Sequence, residues 1–251
     1  MGFGNLPIVA ITNHFESGTV TTDGTNKENA YDHSTSDYWT SAGTATSFLR
    51  VDMSSAIDCD YMAIAGHTLL DQTASVKLQH GPDGAAWTDV PLTDVTPSDN
   101  GVIFIPFDRV NAQWYQILLS SLDAAATIAV AAIGTRVQLE RGVQTGFTPP
   151  DYSRVDRLLN AQTQNGQFLP RSLIRSNAQG SIALQNMTEE WVRTTLDAFI
   201  ISSRTKLWFL GWNPTGFPAE VAVCQTTGTP QPTYSAPGFM SCKIDYVASV
   251  T

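Results

Sequence analysis

The amino-acid sequence predicts a mostly β protein of two domains with one α-helix. Through the first 145 positions, apolar residues recur at period two or in short runs bounded by Gly, Pro, Asp, Asn and Ser, which is typical of strands separated by turns. Only 15% of the 251 residues are charged, against about 25% in typical soluble domains. The 18 glycines and 13 prolines supply frequent turns. This composition excludes a disordered chain, a coiled coil and a bundle of long helices.

The first domain, residues 1–145, is predicted to consist of short antiparallel strands. Val76 and Leu78 alternate with polar residues, and their run stops at the turn signal Gly-Pro-Asp-Gly. Residues 102–107 and 114–119 are continuous apolar runs, as expected for strands covered on both faces. The strand candidates in this half are 47–53, 61–65, 75–80, 102–107, 114–119 and a long strand over 127–140.

A change of composition marks the boundary between the domains. Residues 142–152 contain two glycines and a Pro-Pro pair. Because consecutive prolines stiffen a chain toward polyproline II, the linker over 146–155 is expected to hold a defined angle between domain 1–145 and domain 156–251.

The second domain is predicted to be a β-sandwich or barrel with one helix over about 188–203. Thr188 has the side chain of an N-cap, and Glu189 and Glu190 complement the helix dipole in the first turn. Residues at four-residue spacing form one stripe that needs a sheet to pack against. The stripe comprises Trp191, Val192, Thr195, Leu196, Phe199 and Ile200.

Strands on either side of the helix are predicted to supply this sheet. Residues 171–175 and 181–184 have the pattern of paired strands joined by a tight turn, in which Gly180 can supply a positive φ. The later strand candidates are 207–212, 220–224 and 239–250.

The charge of the chain disfavours anionic partners. The net charge is −9, so phosphate backbones and anionic lipid surfaces are repelled, and we expect neither nucleic-acid binding nor membrane insertion. Residues 1–150 hold 6 basic and 16 acidic residues, whereas 151–251 hold 8 and 7. We therefore expect the acidic domain to face solvent and the near-neutral domain to make permanent subunit contacts.

The N-terminus and the cysteines indicate cytoplasmic synthesis. No basic residue precedes the first apolar run, and no stretch approaches the roughly 18 apolar residues of a membrane span. Cys59, Cys224 and Cys242 are too few for a disulfide framework. We expect free thiols and no secretion signal.

The sequence contains no recognisable catalytic constellation, cofactor motif or metal-ligand spacing. His14, His33, His67 and His80 lack partners at zinc spacing and are expected to be structural or surface residues. The nucleophile elbow, the Walker loop and the dinucleotide fingerprint are absent. We therefore expect no enzymatic activity, no cofactor and no bound metal.

Two clusters of acidic residues are candidates for catalysis or for cation binding. Asp58, Asp60 and Asp71 have the residue type for acid–base chemistry or calcium binding, but Asp-Cys-Asp-Tyr is also an ordinary exposed turn before a strand, which we prefer. Asp32 and Asp37 lie in an oxygen-rich segment that would suit a hard cation. That segment lacks the spacing and the glycine of an EF-hand loop, so its pattern is not specific.

Tryptophans raise the question of sugar stacking, since an exposed indole suits the face of a pyranose. Trp114 lies in an apolar run and is expected in the core. Trp39 and Trp87 lie in or beside polar loops, where a tryptophan either plugs the end of a sandwich, which we prefer, or stacks on a sugar. Trp208 and Trp212 flank Phe-Leu-Gly and could face a partner subunit.

The order of several short motifs over about residues 20–140 resembles a discoidin (coagulation-factor C-type) domain. The motifs are Asn29-Ala-Tyr-Asp32, Thr35-Ser-Asp-Tyr-Trp39, Phe48-Leu-Arg-Val-Asp52-Met, Val76-Lys-Leu-Gln-His-Gly-Pro-Asp83-Gly-Ala-Ala-Trp87 and Trp114-Tyr-Gln-Ile. The resemblance implies an antiparallel jelly-roll sandwich of the galactose-binding-like fold.

The same resemblance implies possible ligands. Members of the family often bind sugars or lipid headgroups at loops on one end of the sandwich, and some hold calcium near positions matching Asp32, Thr35 and Glu140. This sequence departs from the family pattern at Pro82, Gln113 and Gln116. We therefore carry over the fold and leave the ligand-binding residues unassigned.

The second domain is similar to the β-plus-helix unit of phage tail-tube and distal-tail proteins. The similarity lies in the element order and in the segment Arg204-Thr-Lys-Leu-Trp-Phe-Leu-Gly-Trp-Asn-Pro214. It implies a structural subunit of a bacteriophage tail, at the tail tip or baseplate of the virion. The expected partners are copies of the same chain in a ring and other tail proteins.

The alternative is a carbohydrate-binding module that contributes to host-surface attachment. It would recognise a host glycan through the discoidin-like loops, with Trp39 or Trp87 and Asp32. A polysaccharide hydrolase ranks third, because the sequence places no pair of carboxylates at the separation that hydrolysis needs.

Overall fold

The computed structural model describes residues 6–43, 45–159, 164–165, 167 and 170–249. It is mostly β, with antiparallel sheets and a single helix, as the sequence predicts. The strands in chain order are β1 (Ile8–Ala10), β2 (Thr19–Thr22), β3 (Trp39–Thr40), β4 (Ala45–His67), β5 (Ser75–Gly81), β6 (Thr88–Asp89), β7 (Ile103–Leu122), β8 (Thr127–Gly134), β9 (Arg136–Gln138), β10 (Arg154–Leu159), β11 (Ser172–Thr188), β12 (Trp208–Gly211), β13 (Val221–Thr226), β14 (Thr233–Ala236) and β15 (Phe239–Ser249).

Strands β2 to β8 form an antiparallel unit, here called the sandwich. The strand order is β3-β8-β4-β7-β5-β6, with β2 beside β4. β4 and β7 each contribute to both layers of the sandwich, because their pairing register shifts between Asp52 and Ile57. The shift lies beside Ser54, whose φ is 61°. The first part of β4 pairs with β2 and its last part pairs with β8.

Side-chain alternation along β4 gives the sandwich a core and a covered outer face. Met62 and Ile64 belong to the core, whereas Tyr61, Ala63 and Ala65 belong to a separate buried cluster outside it. Successive side chains of a strand point to opposite faces. A strand covered on both faces is therefore apolar throughout, which accounts for the continuous run in this part of the sequence.

Strands β1 and β9 to β15 form the second sheet, here called the helix-backed sheet. Its order is β10-β11-β15-β13-β12-β1-β9, with β14 beside β15. β1 and β9, which come from the predicted first domain, thus pair within the sheet of the second half. The chain enters the sandwich after β1 and leaves it into β9. The predicted division at 146–155 stays a prediction.

One helix covers a face of this sheet where the sequence predicts it. It runs through Glu189–Trp191, a π-helical turn at Val192–Leu196, and Asp197–Ser202. Thr188 is the N-cap, and its hydroxyl accepts a hydrogen bond from the Trp191 amide at 3.4 Å. The buried residues of the predicted stripe are Val192, Leu196, Phe199 and Ile200.

Trp208 lies in the core between the helix and the sheet, which corrects its expected exposure to a partner subunit. Its ring meets those of Phe199 and Tyr246 edge-on, with centroids 5.3 and 5.7 Å away. Its Nε1 donates to Thr226 Oγ1 at 3.0 Å. Trp212 is half-buried and packs against Phe147 at 5.7 Å.

The other face of the helix-backed sheet packs against the outer face of the sandwich. The Phe104 ring lies between Tyr61 and Phe209, with centroids 5.8 and 6.2 Å away. Small side chains allow the two sheets to approach. They are Ala63, Ala65, Ala129 and Ala132. This buried apolar junction joins the two parts into one unit.

The predicted hairpin over 171–184 is wrong, because β11 passes through it as one strand paired with β10 and β15. Gly180 makes no turn. A Cβ at that position would lie 2.6 Å from the Tyr246 hydroxyl oxygen, so a close approach explains the glycine.

The predicted long strand over 127–140 is divided between two sheets. β8 belongs to the sandwich and β9 to the helix-backed sheet. Gly134 ends β8 where the backbone of Thr12 crosses it, and a Cβ at Gly134 would lie 2.2 Å from the Thr12 carbonyl oxygen.

Candidate functional site

A cleft of about 890 Å³ opens where loops at one end of the sandwich meet the helix-backed sheet. One wall comes from the end of β4 and the loop before β7. The other comes from the segment before β10 and from the start of β13. Small-molecule sites commonly have this size and commonly occur where two structural units meet.

Tyr38 supplies the aromatic surface of the cleft and is 42% exposed. Its neighbour Trp39 is fully buried, and Trp39 Nε1 donates to Thr22 Oγ1 at 3.0 Å. Successive side chains of an extended segment point in opposite directions, so the buried indole holds Tyr38 toward the cleft. This arrangement confirms the core interpretation of Trp39 and rules out Trp39 as a sugar platform.

The loop before β7 supplies carboxylate and amide groups. Asp99 Oδ1 accepts a hydrogen bond from the Gly101 amide at 2.9 Å. Asn100 Oδ1 accepts from the Leu70 amide at 3.0 Å, and its Nδ2 donates to Asp71 Oδ2 at 3.1 Å. These bonds fix the loop, while one N–H of Asn100 and one oxygen of Asp99 remain for a ligand.

His67 lies buried beside this loop and lines the cleft. Its Nε2 is 2.7 Å from the Gly101 carbonyl oxygen, and burial lowers the pKa of its imidazole. The ring is therefore neutral near pH 7 and can donate to that carbonyl. His67 thus has the structural role expected from the sequence, and Thr68 and Thr127 extend the polar lining beside it.

Asp151 and Arg154 face the loop from the second wall. Burial, and then the neighbouring Glu220 carboxylate, raise the pKa of Asp151, while Arg154 offsets part of the rise. Arg154 is exposed at the start of β10. Among the described residues, neither of these two side chains takes part in a hydrogen bond, so both are available to a ligand.

A second aromatic and polar surface, here called the Arg50 strip, lies on the side of β4, β7 and β5 that faces away from the sandwich core and is separate from the face covered by the helix-backed sheet. The guanidinium carbon of Arg50 is 3.6 Å from the Phe48 ring centroid and 5.2 Å from that of Trp87. Arg50 Nε donates to Gln116 Oε1 at 2.6 Å, and Gln116 Nε2 donates to Gln79. Arg50 Nε and both ends of the Gln116 amide are thus engaged within the strip. Half-buried Trp87 is packed into this network.

The residues at the positions that match the calcium site of the discoidin family make other contacts in this structure. Both oxygens of Glu140 accept hydrogen bonds from Thr188, at 2.7 Å from its amide and 3.0 Å from its hydroxyl. Glu140 therefore caps the start of the helix. Asp32 lies in an exposed loop with Thr35, and its Oδ1 accepts from the Ser34 amide at 2.8 Å. Asp37 is exposed in the same loop.

The acidic pair Asp58 and Asp60 belongs to an ion-pair network. Arg109 lies 3.4 Å from Asp58 and 3.2 Å from Asp60. Buried Asp60 also accepts from the Arg136 amide at 2.7 Å, and His14 Nε2 is 2.9 Å from the Asp58 carbonyl oxygen. These contacts support a structural role, but the predicted exposed turn is wrong, because the segment lies within β4 and Asp60 is buried. Asp71, the third member, instead holds Asn100 of the cleft.

The remaining candidates have structural surroundings. His33 Nε2 lies 3.3 Å from Glu16 Oε1, and His80 is half-buried in β5. All three cysteines are free and buried, as expected, and burial raises the pKa of the Cys59 thiol to about 12. Within the described ranges, no group of three or more His, Cys, Asp or Glu is placed to hold a metal ion. The helices there include none long and apolar enough to cross a membrane.

Sequence inspection missed the residues that form the cleft. Tyr38, Asn100 and Arg154 come from three segments far apart in the chain, and each lies in a polar stretch without a motif. The sequence feature closest to the cleft residues was the predicted Pro-Pro linker over 146–155, which contains both Asp151 and Arg154.

The chain is similar to several solved carbohydrate-binding structures. A CBM32 of AlyQ, in complex with 4,5-unsaturated mannuronic acid, is 24% identical with a TM-score of 0.39, over 46% of this chain and 92% of that chain. A chitosan-binding module from Paenibacillus sp. IK-5 is 18% identical with a TM-score of 0.42, over 49% and 99%.

A third module, from Clostridium perfringens in complex with GalNAc-β-1,3-galactose, is 8% identical with a TM-score of 0.42, over 49% of this chain and 98% of that chain. No family model matches the sequence, and no curated protein matches it.

Proposed function

We propose that this protein is a non-catalytic carbohydrate-binding protein that holds a neutral or amino-sugar oligosaccharide in the cleft. The observation that carries the proposal is the exposed ring of Tyr38 at a cleft whose walls also present Asn100, Asp151 and Arg154. A pyranose has an apolar face of C–H groups and an edge of hydroxyl groups. An aromatic ring suits the face, and amide, carboxylate and guanidinium groups suit the edge.

The charge of the cleft favours uncharged or amino sugars. Asp99 and Asp151 line it, and Glu220 acts on Asp151 from nearby, whereas Arg154 is the basic residue among the described lining residues. The chain as a whole carries a net charge of −9. A polyanionic glycan is therefore expected to bind more weakly than a neutral glycan of the same length.

Binding is proposed in preference to hydrolysis. Glycoside hydrolysis needs two carboxyl groups on opposite sides of the scissile bond, each free to exchange a proton. Asp99 holds its own loop through the Gly101 amide at 2.9 Å, which is the role of a turn residue. Asp151 is the carboxylate among the described lining residues with no hydrogen bond, and it is suited to accept hydrogen bonds from sugar hydroxyls.

A glycan array carrying neutral, amino and uronate oligosaccharides tests the proposal. The wild-type protein is expected to bind neutral or amino sugars, to release them unchanged by mass spectrometry, and to lose the signal in Tyr38→Ala. Absence of array binding, or equal binding by Tyr38→Ala, would overturn the proposed function. Cleaved glycans would overturn its non-catalytic part.

A structural subunit of a bacteriophage tail, as expected from the sequence, is the second candidate. The observation that favours it is the exposed edge strand β10, which offers a surface for contact with another copy. Electron microscopy of the purified protein, alone and with neighbouring tail proteins, would show rings if this candidate holds. Particles without rings under both conditions would count against it.

A further inference from the structure

A second cavity, here called the side pocket, adjoins the cleft at the start of β10. Its volume is about 540 Å³, which lies within the range of small-molecule sites. The pairing of β10 with β11 stops at Arg154 and Ala178. Beyond this point β11 continues through Gly180 and Ser181 beside the segment 146–153, and the side pocket opens between that segment and β11.

Tyr152 supplies the aromatic surface of the side pocket. It is 72% exposed, against 42% for Tyr38 in the cleft. Tyr152 ends a short 3₁₀ turn, in which its amide donates to the Pro149 carbonyl oxygen at 3.0 Å. The turn fixes the backbone and leaves the phenol ring accessible. An exposed ring of this kind suits the apolar face of a pyranose.

Polar residues that can bind sugar hydroxyls lie beside this ring. Gln179 and Ser181 line the side pocket, and their side chains form no hydrogen bond within the part of the chain that the structure describes. Asp245, which also lines it, is paired with Lys243 at 2.8 Å, so its charge is balanced. A tyrosine at the surface is common. The combination of an exposed ring with available amide and hydroxyl groups is what the side pocket shares with the cleft.

The side pocket and the cleft share a wall. Arg154 lines both cavities. Asp151 lines the cleft, and the next residue, Tyr152, lines the side pocket. Consecutive Cα atoms are about 3.8 Å apart, so the two cavities lie on either side of one turn. An oligosaccharide that leaves the cleft along Arg154 therefore reaches the side pocket.

We propose that the side pocket is a second sugar subsite, and that the ligand is an oligosaccharide long enough to occupy the cleft and the side pocket together. This inference rests on the proposed carbohydrate function. Tyr38 contacts one sugar and Tyr152 a later sugar of the same chain, with Arg154 between them. The second contact is intramolecular once the first has formed, so it raises the affinity for long chains.

The length of the oligosaccharide tests the second subsite on the full-length chain. The probes are glucans, mannans, galactans, xylans and chito-oligosaccharides, each printed on an array as the disaccharide and the hexasaccharide. The wild-type protein is expected to bind the hexasaccharide of a recognised series roughly tenfold or more tightly than its disaccharide. Tyr152→Ala is expected to lower the hexasaccharide affinity to about that of the disaccharide. Tyr152→Phe keeps the ring and is expected to keep the gain with length.

Tyr234→Ala is the matched control, because this tyrosine is 58% exposed in β14 and lines neither cavity. It should keep the gain with length, and circular dichroism checks the fold of each variant. Equal wild-type affinity for the two lengths, or a gain with length that survives in Tyr152→Ala, would overturn the second subsite and leave the cleft in place. Absence of binding at both lengths would overturn the proposed function and this inference with it.

Discussion

The cleft and the Arg50 strip contain similar residues and differ in what their polar groups already bind. In the strip, Arg50 Nε is bonded to Gln116, and Gln79 Nε2 is bonded to Asp89 Oδ1 at 2.5 Å. In the cleft, the described structure leaves the side chains of Asp151 and Arg154 without such bonds. Aromatic and charged residues at a surface therefore do not by themselves define a site. A binding site also needs hydrogen-bonding groups that remain available beside an exposed aromatic ring.

Disrupting the buried junction between the sandwich and the helix-backed sheet is expected to have the largest effect. It should affect the cleft more than the Arg50 strip, because both parts of the molecule build the cleft and the sandwich alone builds the strip. Phe104→Ala removes a ring that is 6% exposed between Tyr61 and Phe209. We expect a loss of about 3–5 kcal/mol in the free energy of unfolding, measured by chemical denaturation, and weaker glycan binding.

Phe239→Ala, at a ring that is 39% exposed, is the control for loss of an aromatic side chain and should cost much less. A loss below about 1 kcal/mol for Phe104→Ala would contradict the account of the junction.

Breaking the strip should change stability and leave binding intact. Arg50→Met keeps the length of the side chain but removes the donor to Gln116, which is 2% exposed. An unsatisfied buried amide oxygen costs about 1–3 kcal/mol, and denaturation should show this. Arg204→Met, at an exposed turn, should change stability little. Loss of glycan binding in Arg50→Met would show that the strip is the site.

The pH dependence of binding should give the smallest effect. Protonation of Asp151 removes a hydrogen-bond acceptor, and the pKa of this carboxyl is raised by burial. Affinity should therefore decline as the pH falls, beginning above the ordinary range of an aspartate, by less than about tenfold because the group is partly exposed. Asp151→Asn should flatten that profile, whereas Asp94→Asn should preserve it. An unchanged profile in Asp151→Asn would assign the titration to another group.

Local patterns predicted the elements that depend on local chemistry. The helix began at Thr188 as expected, because its N-cap and its buried stripe of Val192, Leu196 and Phe199 are encoded within four turns. Gly180 led to the wrong prediction of a hairpin. In a sequence, a glycine required by the close approach of a distant ring cannot be distinguished from a glycine required by a turn. Sequence periodicity contains no information about Tyr246 at that position.

The cleft depends on contacts between distant segments, which no local pattern reports. Trp39 and Trp87 were the sequence candidates for sugar stacking, with a core role preferred, and the structure buries Trp39 and exposes Tyr38 next to it. In an extended chain, neighbouring side chains point to opposite faces. The sequence could therefore indicate an aromatic site near these positions but could not show which of the two residues is exposed. Arg154 joined the site because β1 and β9 bring the sandwich against the second sheet.

We expect the cleft, and not the Arg50 strip, to bind the glycan. Isothermal titration of an array-selected oligosaccharide into wild type, Tyr38→Ala and Trp87→Ala tests it directly. Tyr38→Ala is expected to lose about 2 kcal/mol of binding free energy, a factor of about 30 in affinity, whereas Trp87→Ala is expected to keep the wild-type affinity. Loss of binding in Trp87→Ala with wild-type affinity in Tyr38→Ala would place the glycan on the Arg50 strip instead.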